Sequence, residues 1–275
     1  RSPSRGLGDV YKRQHLMYTN KQWNKFLLEA RENDEITLPS LDVKDSFNMN
    51  IWQSEDRIKP EISSRLIQIA MDFFENLDLG HELVHDIILT GSLANYNWTE
   101  FSDIDLHIVI DFAQMDENVE LVKYFFNAKK ADWNKMHQIM IKGHEVEIYA
   151  QDVDETHIST GVYSLLGDEW VLKPSKENPK IDYESIKVKV QSIMDQIDRV
   201  EALFSNNKHE VVQNVSDLLR GKIKRLRRCG LAEKGIYSTE NLVFKTLRNN
   251  GYIGKLLDLK NKSYDKMMSL NHNAV

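Results

Sequence analysis

Residues 103–111 alternate without a break. Ile104, Leu106, Ile108 and Ile110 take one side, and Asp103, Asp105, His107 and Asp111 take the other. Period two is the mark of a β-strand. A strand with one wholly apolar side belongs in a sheet whose apolar face is covered. The β-branched run Val84–Thr90 ends at Gly91 and reads as a second, buried strand. Residues 144–151 alternate again, with Val146, Ile148 and Ala150 against Glu145, Glu147 and Tyr149.

Helical spacing fills the gaps. Ile62, Leu66, Ile69, Phe73 and Leu77 recur every three or four residues before Gly80. Residues 117–140 offer Leu121, Phe125, Trp133, Met136 and Met140 as a core side, with Gly143 as the expected stop. The order helix, strand, short turn or helix, strand, helix, strand predicts the α/β (α+β) class, a small mixed sheet with helices on one side. A hairpin across Gly167-Asp168 is expected in 157–173. Past Asp182 the chain reads as nearly all helix, starting with the stripe Ile186, Val190, Ile193, Ile197, Val200 and Phe204. Further helices are expected over 209–228, ended by Gly230, from a Ser238 or Thr239 cap to Gly251, and over 252–268.

The expected organisation is a non-native or disordered leader over 1–16, with Met17 as the start, and an N-terminal helix and irregular wrap over 17–60. That helix is capped by Asn20 and carries Trp23, Phe26, Leu27 and Ala30. A first domain would cover 61–155, a hairpin and linker 156–180, and a helical domain 181–275. Hydrophobic residues make up 41% of the chain and charged residues 28%, which fits an ordinary globular protein. The net charge of -6 argues against a general polyanion binder, so any anion site must be local. A lone cysteine, Cys229, excludes an internal disulfide. No apolar stretch is long enough for a membrane span. A reducing, cytoplasmic setting is the expectation, the host cytoplasm if the source is viral.

Asp103 and Asp105 stand two residues apart on one strand face, roughly 7 Å along the backbone. Carboxylates so close repel and stay ionised together only beside a cation. Hard oxygen ligands suit Mg²⁺. A solvated strand face has the same pattern, so the pair gains meaning only from its surroundings. Gly91 lets the backbone approach a ligand, the Ser92 hydroxyl can donate a hydrogen bond, and free N–H groups of a short helix after Ser92 would bind phosphate oxygens. A plain turn also accounts for Gly-Ser. Glu145 and Glu147 both offer a third carboxylate. Glu147 is preferred because Val146 and Ile148 flank it in mid-strand, whereas Glu145 lies near the strand end.

Taken together, Gly91-Ser92, ten residues, then Asp103-Ile104-Asp105-Leu106, with Val146-Glu147-Ile148-Tyr149 later, resembles the DNA polymerase beta-type nucleotidyltransferase superfamily. The block from Ser102 to Leu106 resembles small bacterial and phage members. Asn50-Ile51-Trp52, Glu240-Asn241-Leu242-Val243-Phe244 and the run from Gly251 to Leu256 are similar to predicted nucleotidyltransferases of tailed bacteriophages. The resemblance covers about 61–153. It implies transfer of a nucleoside monophosphate from an NTP, ATP among them, to an acceptor hydroxyl with release of pyrophosphate. It implies two Mg²⁺ ions, or Mn²⁺, on Asp103, Asp105 and Glu147, and phosphate contacts from Gly91 and Ser92. The arginine that many small members carry soon after Gly-Ser is absent; here the run is Leu93-Ala94-Asn95-Tyr96-Asn97.

Arg220, Lys222, Lys224, Arg225, Arg227 and Arg228 crowd one helix, and Arg220, Lys224 and Arg227 share a face. Lys224 and Arg227 are therefore expected to touch triphosphate or an RNA backbone; a solvated helix face accounts for them equally well. His107 reads as a partly exposed structural histidine that could also reach the ligand. An RNA 3′ end, a protein hydroxyl or a small molecule such as an aminoglycoside could be the acceptor. Two alternatives stand beside the enzyme: a catalytically silent nucleotide- or RNA-binding module, and an antitoxin-like protein that modifies a partner. The sequence leaves base preference and oligomeric state open.

Overall fold

The strand pattern places six strands in one mixed sheet. The computed structural model describes residues 41–157 and 159–270. The proposed leader, the helix capped by Asn20 and the first part of the wrap lie outside the described residues. Among the described residues the chain order is α1 (Pro60–Asn76), β1 (Val84–Thr90), β2 (Ile104–Ile110), α2 (Phe112–Met115), α3 (Val119–Met136), β3 (Met140–Ile141), β4 (His144–Asp152), β5 (Val162–Ser164), β6 (Glu169–Leu172), α4 (Tyr183–Ser205), α5 (His209–Lys234), α6 (Thr239–Asn249) and α7 (Tyr252–Met268). The sheet order is β3-β4-β2-β1-β5-β6. β2 and β4 run parallel, the other pairs antiparallel. A parallel pair needs a long crossover, and α3 lies in the connection that provides it. The α/β class with a mixed sheet and a helical C-terminal part is thus what the chain forms.

The alternation of β2 divides the sheet into two unlike faces. Ile104, Leu106, Ile108 and Ile110 join Ile87, Leu89, Val146 and Ile148 in a core with Leu66, Phe73 and Phe74 of α1 and Val122, Phe126 and Trp133 of α3. The other face carries Asp105 and His107 of β2 and, as their register partners, Glu147 and Tyr149 of β4. β4 has little strand pairing on its outer edge, since β3 pairs only with its first residues. There the Asn134 side chain accepts from the Ile148 N–H and donates to the Ile148 carbonyl. One amide thereby stands in for a missing strand.

Several expectations need correction. The buried side of α3 is Val122, Phe126 and Trp133. Leu121, Phe125 and Met136 are 58%, 37% and 66% exposed, and Met140, 53% exposed, lies in β3. Apolar residues surround the first turns of this helix, so periodicity alone does not say which stripe turns inward. Gly143 does not stop the helix, which ends at Met136. Lys142 and Gly143, both at positive φ, turn the β3–β4 hairpin. Gly230 does not end its helix either. α5 runs on to Lys234 and stops at Gly235. A Cβ on Gly230 would lie 2.5 Å from Glu240 Cβ, so its bareness serves close packing against the start of α6.

The irregular segment before α1 is part of the core. Phe47, Ile51, Trp52 and Ile58 are buried in it, with Tyr163 and Leu165 from the hairpin segment. Trp52 stacks on Trp170 at 4.8 Å, and its indole N–H donates to the Leu93 carbonyl at 2.8 Å. The wrap thereby fixes the loop that follows Gly91. The expected hairpin forms as β5–β6, with Asp168 at positive φ in its turn. In α4, Ile186, Val190, Ile193, Ile197 and Val200 are buried as their spacing predicts. Ser238 caps α6 by accepting from Asn241 N–H. The described sheet and helices fall in one compact unit. No helix among the described residues is long and apolar enough to cross a membrane.

Candidate active site

The polar sheet face is where the acids meet. Asp105 is the register partner of Thr90 on β1 and of Glu147 on β4, so three strands place their side chains together. Asp103 precedes β2 by one residue, and its Oδ2 lies 3.2 Å from an Arg248 guanidinium nitrogen. His144 fixes the backbone beside it. A carbonyl can only accept, so His144 Nδ1 donates to the Ser102 carbonyl at 2.6 Å, and Nε2 accepts from Asn48 Nδ2 at 2.9 Å. Tyr149 donates its hydroxyl proton to Glu147 Oε2. The Tyr149 ring stacks on His107 at 4.8 Å, and the Lys130 ammonium stands 3.8 Å from its centroid.

Gly91 has φ +76, and a Cβ there would fall 1.8 Å from Asp105 Oδ2. The glycine is needed because the Asp105 carboxylate occupies that space. The Gly91 N–H donates to Ser159 Oγ at 3.3 Å, and the Ser92 hydroxyl donates to Ser102 Oγ at 2.8 Å. No helix begins after Ser92; residues 91–101 are bends, turns and irregular chain. The helix-terminus phosphate seat expected from the sequence is therefore absent.

Cations from the C-terminal helices reach the site instead. Arg227 of α5 and Lys245 and Arg248 of α6 line a cavity of about 400 Å³ that also contains Gly91, Ser92, Asp105 and Glu147. Arg227 rests on the Phe244 ring at 4.3 Å, and Lys245 donates to the Asn97 carbonyl at 3.1 Å. A second hollow of about 440 Å³ adjoins it, lined by Asp103 and Glu145 and sharing Glu147 and Arg248.

Burial dominates the electrostatics. It pushes the Asp105 carboxyl up to about 7, helped by the charges of Glu147 and Asp103 and opposed by Arg248 and Arg227. Asp103 is raised by burial against the pull of Arg248. Lys245 is brought down to about 8 by burial and by the neighbouring Arg248 and Arg227. Burial also lowers His107, which favours the neutral ring. Acids and bases thus share one cavity, and burial acts most strongly on Asp105 among the acids and on Lys245 among the bases.

Comparison with protein-family models, with curated proteins and with solved structures returns no match for this chain. The site must therefore be read from its own chemistry.

Of the residues singled out from sequence, Asp105, Glu147, Gly91, Ser92 and Arg227 line one cavity, and Asp103 lines the hollow beside it. Lys224 is exposed and lines neither. Glu145 shares the second hollow with Glu147, so both candidates for the third carboxylate are near Asp103, but only Glu147 pairs with Asp105. Lys245, Arg248 and Tyr149 are the site residues that sequence reading missed. Lys245 and Arg248 look like ordinary charges on an amphipathic helix; only the docking of α6 distinguishes them.

Three carboxylates on one sheet face suit a hard divalent cation in donor chemistry. Among the described residues, however, no group of three His, Cys, Asp or Glu side chains is gathered closely enough to hold an ion as it stands. Asp103 is engaged by Arg248, and Glu147 by Tyr149. Closing the set around an ion requires Asp103 to leave Arg248. A polyanion that takes over the guanidinium supplies the reason for it to do so.

Proposed function

We propose that this chain is a metal-dependent nucleotidyltransferase that moves a nucleoside monophosphate from an NTP to an acceptor hydroxyl and releases pyrophosphate. The observation that carries the reading is the pairing of Asp105 with Glu147, beside Asp103, in a cavity that Arg227, Lys245 and Arg248 also line. Acids alone would suit a cation, and bases alone an anion. Both sets together suit a cation-bearing triphosphate, whose charges they match in kind.

In this reading Asp103, Asp105 and Glu147 would hold Mg²⁺ or Mn²⁺, and the ion would supply charge neutralisation at the transferring phosphoryl group and a lower acceptor pKa. Arg227, Lys245 and Arg248 bind and orient the β- and γ-phosphates in place of the expected helix terminus. The acceptor oxygen attacks the α-phosphorus, and the bond to the bridging oxygen breaks toward pyrophosphate. Tyr149 donates to one lone pair of Glu147 Oε2; the other lone pair of Oε2 is left for the ion, and Oε1 is left to take the acceptor proton. His107 and Lys130 pack against the Tyr149 ring and hold that hydroxyl in place.

A silent nucleotide-binding module is the second reading, favoured by the contacts that engage Asp103 and Glu147. Incubation with labelled NTPs, Mg²⁺ or Mn²⁺ and cell lysate separates the two. Label transfer that disappears in Asp103→Ala/Asp105→Ala supports the enzyme. Transfer that survives the double substitution refutes the mechanism, and NTP binding without transfer selects the module.

A further inference from the structure

The cavity accounts for Arg227 but leaves the rest of the basic cluster on α5 without a task. Arg220, Lys222, Lys224, Arg225, Arg227 and Arg228 are all exposed. Arg220, Lys224, Arg227 and Arg228 recur at helical spacing and share one face, which leads along the helix to Arg227 and Leu231 at the cavity wall. From Arg220 to Arg227 the helix rises about 10 Å.

Three features set this face apart from a solvated helix surface. First, its charges repel. Like charges at i,i+3 and i,i+4 destabilise a helix, and this face contains 220/224, 224/227 and 224/228. Second, no acid lies between Asp217 and Glu233 to relieve them. Asp217 sits 4.0 Å from Arg220 but 2.5 Å from Lys260, and Lys222 turns to Gln196. Lys224, Arg225 and Arg228 meet no carboxylate at ion-pair distance among the described residues. Elsewhere the helices do interleave their charges, as where Lys255 meets both Asp198 and Glu201 and where Lys262 faces Asp258. Third, the helix macrodipole does not explain the cluster. It rewards cations in the last turn, whereas Arg220–Arg228 lie further back in a helix that ends at Lys234.

We propose that this face of α5 docks the sugar-phosphate backbone of a single nucleic-acid strand and directs its end into the cavity. The strand is then the acceptor of the transfer proposed above, and to that extent the inference rests on that reading. Arg220, Lys224 and Arg228 of this face lie outside the cavity, so a free NTP held there does not use them. A chain of phosphates does: in helical geometry a strand carries one about every 3.4 Å, so about three fall along the face. With the whole protein at -6, a local basic face focuses a polyanion onto one path and leaves the remaining surface repulsive.

The test uses the full chain with labelled single-stranded RNA and DNA 20-mers, followed by anisotropy in EDTA without NTP across 0.05–0.5 M salt. The comparison is Arg220→Gln/Lys224→Gln/Arg228→Gln, which keeps good helix formers. Wild type is expected to bind with affinity falling steeply in salt. Three lost contacts at about 0.7 each lower the log–log slope by about 2 and weaken binding about 100-fold at 0.1 M. An unchanged melting temperature and unchanged NTP binding in the variant show that the loss is local. No salt-dependent binding by wild type, or the same slope in the variant, overturns the proposal. The RNA and DNA arms identify the preferred strand. Strand binding without label transfer onto the strand keeps the docking face and counts against the transfer reading instead.

Discussion

Asp105→Asn tests whether the polar sheet face carries electrostatic strain. The Asp105 carboxyl is pushed from its ordinary 3.8 to about 7, first by burial and then by Glu147 and Asp103. A folded-state value above the unfolded one means that the native protein holds an extra proton between about pH 4 and pH 7. Stability therefore falls as pH rises through that window and is flat above it. A gap of about three pH units at about 1.4 kcal/mol each makes the ionised carboxylate cost about 4 kcal/mol. Asparagine keeps the shape without the charge. In EDTA the variant is expected to be more stable than wild type by about 4 kcal/mol at pH 8.5 and about 2 kcal/mol at pH 5.5. For a chain of this size that is about 10 °C and about 5 °C in melting temperature. Thermal melts at the two pH values give the answer. A variant less stable than wild type, or a gain equal at both pH values, would refute the reasoning. The same substitution should abolish label transfer, so the acid would be kept at a cost to stability for what it does.

Gly91→Ala meets both a positive φ and the Asp105 carboxylate; urea denaturation should show a loss of about 3 kcal/mol. Repeating it in an Asp105→Ala background removes the two nearest clashing atoms, so the cost should shrink to the backbone part, about 1–2 kcal/mol. Asn134→Ala strips both hydrogen bonds from the Ile148 edge and should lower urea stability by about 2 kcal/mol, with faster amide exchange at Ile148. Because Lys245 is held down to about 8, its charge fades above that pH. NTP affinity measured by calorimetry should weaken from pH 7 to pH 9 in wild type and stay level in Lys245→Arg; a level wild-type profile would remove Lys245 from the phosphate contacts.

The strand Ile104–Ile110 is legible in the sequence because alternation is a local property of extended backbone, and Val84–Thr90 because a short β-branched run ended by a glycine is one too. The buried stripe of α4 was legible for the same reason, its spacing being that of a single helix. The inward stripe of α3 was not, since apolar residues crowd several of its sides and only the partner surface selects among them. Gly143 and Gly230 were misread for a related reason. A glycine marks a place where a side chain does not fit, and the sequence does not say whether a turn or a neighbouring helix excludes it. Gly91 reads from sequence as an opening in the backbone, but the group that fills the opening is Asp105, fourteen residues further along the chain and adjacent only through strand pairing.

By itself the sequence determined the acidic face of β2, the glycine before it and a third acid on a later strand, since each is written within a few residues. Tertiary structure alone decided which acid pairs with Asp105, because register is set by how β4 lies beside β2. It also decided that Lys245 and Arg248 face those acids while Lys224 faces water. Burial and charge proximity depend on distances between segments far apart in the chain, and those distances come into being only when the helices close over the sheet.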